Sequence, residues 1–461
     1  MYDLAILGGG PGGYVAAQRA ASAGLSVVLF EKKELGGVCL NEGCIPTKTL
    51  LYSAKLYDYA KHGDAYGIRV EGAEVAYDAL LKRKQKVVKK LVGGIRVQLR
   101  DAGAEVVRGE AVITGRDTDG TLTLSCADAS YQARNLLIST GSEAAVPPIP
   151  GLREGLGDTV LTNREILSLT EVPQRLVVIG GGVIGMEFAS FFNSLGSQVT
   201  VVEMLPKILG PMDEEISALL QAQYAKKGVT FHLSCKVTAV EGNEVVFETP
   251  EGETCRAAGD KILVSVGRRA NFSGIGLESI GVELALNPAG RPYGIKVDEK
   301  MRTSVPGVYA AGDVTGFSML AHTASREAEV AVNTLLGKED AMHYNAIPGV
   351  VYTNPEVAGV GLTEAEAQRK GLEIKVVKLP MAFSGRFVAE NERGEGVCKL
   401  IVDEQGRILG AHMLGNPCSE IIQSACIAIE KGMTAAELTQ VVFPHPTVSE
   451  ILKETAHAFR V

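Results

Sequence analysis

The feature that most constrains this chain is a passage that occurs twice: an apolar strand-like run, a turn with three glycines, a helix of small residues, and a second apolar run ending in an acid. The first copy reads Leu4 to Leu7, then Gly8, Gly10 and Gly13, the helix around Val15 to Ala23, then Val27 to Phe30 and Glu31. The second reads Leu176 to Ile179, then Gly180, Gly182 and Gly185, the helix around Phe188 to Leu195, then Val199 to Val202 and Glu203. In both copies the acid stands 23 positions after the first glycine.

Each residue type has a physical reason. The first glycine makes a tight turn, the second lets backbone approach a pyrophosphate, and the third lets helix and strand pack closely. The unbonded N–H groups and the dipole at the helix start favour negative charge. The acid can accept hydrogen bonds from ribose hydroxyls. Two copies in register therefore predict an α/β chain with two Rossmann-like dinucleotide-binding domains. Glu203 would repel the additional phosphate of NADP, so the second site is expected to take NAD. Arg268 and Arg269 follow the apolar run Ile262 to Val266; they suit a phosphate, and they suit a solvated turn equally.

At 461 residues the chain exceeds one core and suggests roughly three domains. Its net charge of -8 gives no long-range attraction for nucleic acid or acidic membranes. Apolar runs such as Leu176 to Gly182 fall far short of the roughly 20 residues a membrane helix needs. The opening strand at Tyr2 shows no presequence, so a cytoplasmic protein is expected. Tyr77 to Arg100 has helical periodicity with basic residues at 82, 83, 84, 86, 89 and 90, which reads as an exposed face, or as a face for an acidic partner. Ala104 to Ile138 alternates like short antiparallel strands and returns to the first sheet at Asn135 to Thr140.

Cys39 and Cys44 stand together in GGVCLNEGCIPTK, among 8 cysteines in all. In a reducing compartment such a close pair is more often catalytic or metal-binding. Residues five apart in a regular helix have Cα atoms about 8 to 9 Å apart, whereas a disulfide needs less than about 7 Å. Pairing therefore requires a distorted stretch, which Gly36, Gly37 and Gly43 permit. Pro46 suits the first turn of a following helix, whose N-terminal field would favour a thiolate at Cys44. No set of metal ligands surrounds the pair in sequence; the spacing alone also fits two structural thiols. Cys418 and Cys426 are too far apart for a bridge within a helix and read as core thiols.

Near the C-terminus, Pro444 and Pro446 stiffen the segment around His445, and the His445-Pro446 bond is a candidate cis peptide. Thr447 and Glu450 have capping-box spacing, so the residues alone allow Glu450 to be a helix cap and His445 a core histidine.

Taken in order, GGGPGG, GGVCLNEGCIPTKTLLYSAK, STGS at Ser139 to Ser142, GGGVIGMEFAS, YAAGDV at Tyr309 to Val314, MLAHTASREA and HPTVSE form a collinear set. With it the chain resembles, over essentially its whole length, the pyridine nucleotide-disulfide oxidoreductases, and among them the dihydrolipoamide dehydrogenase branch. The resemblance implies FAD in residues 1–145, NAD in 146–269, a central domain at 270–336 completing the FAD site, and a C-terminal α+β dimerisation domain at 337–461. It assigns Glu31 to the adenosine ribose and Asp313 to the flavin's ribityl or phosphate region, with Thr140, Gly141, Gly267 and Gly312 among the cofactor contacts. Lys48 would lie by the flavin and pair with Glu187, although by itself it reads as an ordinary helix-surface lysine. His322 would contribute mainly backbone.

By the same resemblance Cys44 faces the flavin, Cys39 exchanges with substrate, and His445 from the second subunit of an obligate homodimer is the general base, oriented by Glu450. The implied reaction oxidises protein-bound dihydrolipoamide to lipoamide and reduces NAD. The lipoyl group would be carried by another protein of a 2-oxoacid dehydrogenase complex or of the glycine cleavage system. The rival is a related flavin disulfide reductase acting on glutathione or another disulfide. Glu203 opposes the NADPH preference of such enzymes, and the lack of paired terminal cysteines opposes a mercuric reductase.

Overall fold

Strands buried on both faces read as continuous apolar runs, and both glycine-turn passages begin with one. In the computed structural model, which describes residues 1–391 and 394–459, these runs become central strands of two separate sheets, each pairing in parallel with both neighbours. The chain divides into two units. One comprises Met1–Thr49, Leu81–Ala145 and Gly267–His343; the other comprises Leu50–Leu80, Val146–Val266 and Tyr344–Val461.

In the first unit the strand Tyr2–Leu7 lies between Val27–Glu31 and Ala129–Ile138, parallel to both, with Leu7 opposite Phe30 and Ile138. Val308–Ala310 also pairs in parallel with Ala129–Ile138. The helices Pro11–Ser22 and Ala321–Leu335 pack on each other. Ala5, Leu7, Val28, Phe30, Leu136 and Ile138 share one buried core with Val308 and Ala310.

The segment after Ala104 departs from expectation at its start. Ala111–Arg116, Leu122–Cys126 and Ala129–Ile138 are antiparallel neighbours as predicted, but Glu105–Arg108 runs parallel to Val27–Glu31 at the sheet edge. A parallel partner needs a long crossover, and the 26-residue helix Tyr77–Ala102 supplies it. Five of its six basic residues at 82, 83, 84, 86, 89 and 90 share the expected exposed face, and Lys84 alone lies off it. Lys82, Lys86, Lys89 and Lys90 are exposed, Lys84 is buried, and Arg83 donates to the Thr49 carbonyl at 3.1 Å.

In the second unit the parallel sheet runs in the order Thr230–His232, Gln198–Val202, Arg175–Ile179, Lys261–Val264, Val160–Leu161. An antiparallel sheet further along the chain has the order Gly349–Val351, Val357–Gly361, Ile408–Leu414, Val397–Asp403, Ile374–Pro380. The helices Cys418–Glu430 and Glu450–His457 share its apolar core. Cys398, Cys418 and Cys426 are unpaired thiols in that core. Burial pushes all three up, Cys398 to about 12 and Cys426 to about 11, as suits inert packing groups.

One ionic cluster is nearly sealed within this unit. Lys399, 1 % exposed, places Nζ 3.0 Å from Asp213 and also meets Glu364. Asp213 in turn caps the helix Glu214–Lys226 by accepting from the Glu215 and Ile216 N–H groups. Nearby, His412 sets Nε2 2.9 Å from the Leu362 carbonyl, while its buried Nδ1 meets no partner among the described residues. Among the described residues, no helix is long and apolar enough to cross a membrane.

Candidate active site

The predicted distortion between the two cysteines is a helix break. Gly37–Glu42 forms one short helix, Gly43 leaves helical geometry at φ −147° and ψ −108°, and Cys44–Lys61 forms the next helix. The break brings the Cα atoms of Cys39 and Cys44 to 4.7 Å, and the two sulfurs form a disulfide. Both residues are half-buried, so the bridge is reachable from outside. Pro46 falls in the first turn of the second helix, where its missing N–H removes no helix bond. Lys48 follows on that same helix, half-buried.

The two glycine turns are built alike. Gly8 and Gly180 have φ of +98° and +100°, and a Cβ at either would collide with the carbonyl of Ser139 or Ser265. Gly13 and Gly185 pack against the carbonyls of Gly8 and Gly180, leaving no room for a side chain. The second glycines differ. Gly10 (φ −74°) and Gly182 (φ −71°) have backbone that any residue adopts. A Cβ at Gly182 would meet nothing within 4 Å, and one at Gly10 only an ordinary contact at 3.8 Å. Neither backbone nor packing demands glycine there, and the open space leaves room for a pyrophosphate to approach the backbone.

The acids close each turn in the same manner. Glu31 accepts from the Gly9 and Lys33 N–H groups at 2.7 Å each. Glu203 accepts from Gly181 at 2.6 Å and Leu205 at 2.7 Å. Each carboxylate is thus held rigidly at the end of its strand and keeps lone pairs for further donors. Glu187, on the helix Val183–Ser194, is 2 % exposed and accepts from the Tyr352 N–H at 3.0 Å.

Around Asp313 the structure brings together residues far apart in sequence. Gly312 (φ +83°) turns the chain and donates its N–H to the buried Glu327 at 2.6 Å. Asp313 accepts the Ser142 hydroxyl. Arg268 donates Nε–H to Ser142 Oγ at 2.7 Å and an Nη2 proton to the Ser142 carbonyl at 2.9 Å. Burial raises the Asp313 carboxyl, and the Ser142 bond and the Arg268 charge oppose that. The neighbouring Thr140 donates to the Asn271 carbonyl at 2.5 Å, and Gly141 and Gly267 take positive φ of +71° and +110°.

The expected solvated turn at Arg268 and Arg269 is therefore corrected for the first of them. The Arg268 side chain is 12 % exposed and faces Ser142 and Asp313, while Arg269 pairs with Glu143 at 3.3 Å on the surface. Ser142 stood in STGS, but nothing local in sequence joins it to a residue 126 positions on.

His445 is exposed and Glu450 half-buried. The His445 Nδ1 lies 3.0 Å from Glu450 Oε1, and the same carboxylate accepts the Thr447 N–H at 2.9 Å. The expected capping box does not form, because the helix starts at Glu450 after Ser449 with no side-chain cap; Glu450 instead braces the preceding turn and faces the imidazole. The expectation that leaves His445 in the core does not survive. The His445-Pro446 bond is cis, and His322 lies exposed near the start of its helix.

A family profile described as pyridine nucleotide-disulphide oxidoreductase matches residues 2–328, and the dimerisation domain of that family matches residues 347–456. The chain belongs to this family. Among similar members, the dihydrolipoyl dehydrogenase of Chlorobaculum tepidum is 40% identical, with 99% of this chain and 96% of that protein covered. The dihydrolipoyl dehydrogenase of Geobacillus stearothermophilus is 38% identical, covering 98% and 95%. Among solved oxidoreductase structures, LpdA from Mycobacterium tuberculosis superposes with a TM-score of 0.89 at 26% identity, covering 99% of both chains. RclA from Escherichia coli, an HOCl-induced flavoprotein disulfide reductase, superposes with a TM-score of 0.85 at 29% identity, covering 100% of this oxidoreductase and 100% of that chain.

Proposed function

We propose that this protein is an FAD-containing, NAD-dependent dihydrolipoyl dehydrogenase that oxidises dihydrolipoyl groups carried by other proteins. The observation that carries the reading is the half-buried Cys39–Cys44 disulfide at a helix break directly after the first glycine-turn unit. Full-length identity to dihydrolipoyl dehydrogenases supports the substrate.

The residues present fit both dinucleotides, since Gly10 and Gly182 leave space at the start of each helix for a pyrophosphate to approach the backbone N–H groups. In this reading residues 1–145 hold FAD and 270–336 complete its site, with Gly8, Gly10, Gly13, Glu31, Lys48, Thr140, Gly141, Gly312 and Asp313 among its contacts. Residues 146–269 hold NAD through Gly180, Gly182, Gly185, Glu187, Glu203 and Gly267. Residues 337–461 form the interface of a homodimer whose second copy supplies His445 to the site. The protein works in the cytoplasm, away from nucleic acid and membranes, with lipoyl-bearing proteins of 2-oxoacid dehydrogenase complexes or the glycine cleavage system as partners.

The carboxylate of Glu450 fixes the proton of His445 on Nδ1, which leaves Nε2 as the proton acceptor. His445 takes a proton from one substrate thiol, and the thiolate attacks Cys39 Sγ. The Cys39–Cys44 bond breaks and Cys44 departs as a thiolate, favoured by its place at a helix start. The second substrate thiol then displaces Cys39 from the mixed disulfide, releasing the cyclic disulfide and leaving both cysteines reduced. The Cys39–Cys44 bond then re-forms, and FAD, when bound, would take up the electron pair released and pass it to NAD as a hydride. In balance, dithiol and NAD+ become disulfide, NADH and one proton.

The likeness to RclA supports one second reading, a flavin disulfide reductase for another disulfide. Steady-state assays of the purified protein separate the two. Turnover of dihydrolipoamide with NAD and little with NADP is the expected result. NADH oxidation with oxidised glutathione but not with lipoamide would replace the first reading by the second.

A further inference from the structure

We propose that Arg268 is a positioning residue for the flavin site, acting through Ser142 to hold Asp313 as a fixed acceptor. The inference rests on the reading of Asp313 as a flavin contact and adds the residue that makes that contact possible. A guanidinium only donates, a carboxylate only accepts, and a hydroxyl accepts but has a single proton to donate. The chain from Arg268 Nε to Ser142 Oγ at 2.7 Å, and from the Ser142 hydroxyl to Asp313, therefore has a single possible polarity. With its hydroxyl proton committed to Asp313 and its oxygen accepting from Arg268, Ser142 has a fixed donor direction, and it holds the carboxylate.

Three further observations point the same way. The second arm of Arg268 reaches the Ser142 carbonyl at 2.9 Å, so the guanidinium grips one residue at two atoms. Backbone pairing of Arg268–Ala270 with Ser142–Ala144, extended by the Ala145 N–H to the Gly267 carbonyl at 3.0 Å, sets the register that makes this grip possible. From the other side Glu327 holds the Gly312 N–H, which fixes the turn that presents Asp313. A buried carboxylate tends to take up a proton and would then cease to be a full acceptor for ligand hydroxyls. The Arg268 charge, 3.8 Å away, and the Ser142 bond counter that tendency.

The test is a double-mutant cycle read as FAD affinity, by titrating full-length apoprotein with FAD and following flavin fluorescence. Arg268→Met should weaken FAD binding by about tenfold or more, and Arg268→Lys by less, because a lysine restores the charge but not the two-point grip. In an Asp313→Asn background the same Arg268→Met change should cost no more than about threefold, since residues in one network are not additive. Equal losses in both backgrounds would show a merely structural arginine and overturn the proposal. If Arg268→Met is not recovered folded, Ser142→Ala breaks the same relay and takes its place in the cycle. If Asp313→Asn binds FAD as tightly as the unaltered chain, the flavin role of Asp313 fails, and this inference fails with it; NAD-dependent lipoamide turnover by the unaltered protein then shows whether the wider function stands.

Discussion

Cys39 and Cys44 sit five positions apart yet have Cα atoms only 4.7 Å apart, because one helix ends at Gly43 and another begins at Cys44. The other six cysteines are unpaired, and those in the C-terminal core are held as neutral thiols by burial. Denatured without reductant, the protein should show six titratable thiols, rising to eight after reduction. Serine at position 39 or 44 should lower dihydrolipoamide turnover on the order of a thousandfold or more, since the two sulfurs act as a unit. A count of eight before reduction would contradict the redox pair.

Replacing His445 by glutamine should reduce lipoamide turnover by about 10² to 10⁴, the usual contribution of a positioned base, while FAD stays bound. Absorbance of the bound flavin and steady-state rates on the same sample provide the check. Full activity in that variant would remove the base assignment.

The Glu450 carboxyl is held below its ordinary range, first by the Thr447 N–H and then by His445. A depressed carboxyl supports the fold above its unfolded value and loses that support as pH falls through the lower folded one. Glu450→Gln should therefore melt below the unaltered protein at neutral pH and converge with it in acid. A constant gap in melting temperature across pH would count against this.

Glu203 is locked by the Gly181 and Leu205 N–H groups, so it cannot swing away from an added phosphate. Glu203→Ala should narrow the preference for NAD over NADP by about tenfold or more, a change of about 1.4 kcal/mol. The ratio of kcat/KM for the two cofactors measures it, and an unchanged ratio would move the discrimination elsewhere.

Burial works against the charge on Lys399, but the Glu364 and Asp213 carboxylates outweigh it and raise its pKa. Its support is thus fully present below the ordinary lysine value and is lost only as pH rises through the raised one. Lys399→Met leaves a sealed carboxylate unpaired and should cost about 3 to 5 kcal/mol in chemical denaturation. Asp213→Asn added to it should recover part of that loss, because asparagine still caps the helix. An additive double mutant would mean the pair is not coupled.

What could be read from the sequence was local. The glycine turns, the closing acids and the broken helix between the cysteines all lie within about two dozen residues of their partners, where spacing constrains geometry directly, whereas the His445–Glu450 pair came only with the family resemblance. The parallel edge strand Glu105–Arg108 was not legible, because alternation looks the same whichever way the neighbouring strand runs. Nor was the turn of Lys84 towards the interior while its neighbours on the helix face water. Arg268 shows the same limit: its type suggested solvent or phosphate, and only tertiary packing set it on a serine 126 positions earlier. Lys399 and Asp213, separated by 186 positions, carried no signal at all.

Gly182 separates two kinds of fitness that usually travel together. With no neighbour within 4 Å of where a side chain would start, and backbone angles open to any residue, the site asks nothing of folding. A screen that rewards yield or heat resistance would accept alanine or serine there without complaint, and only an assay that makes the protein grip its second nucleotide would notice the change.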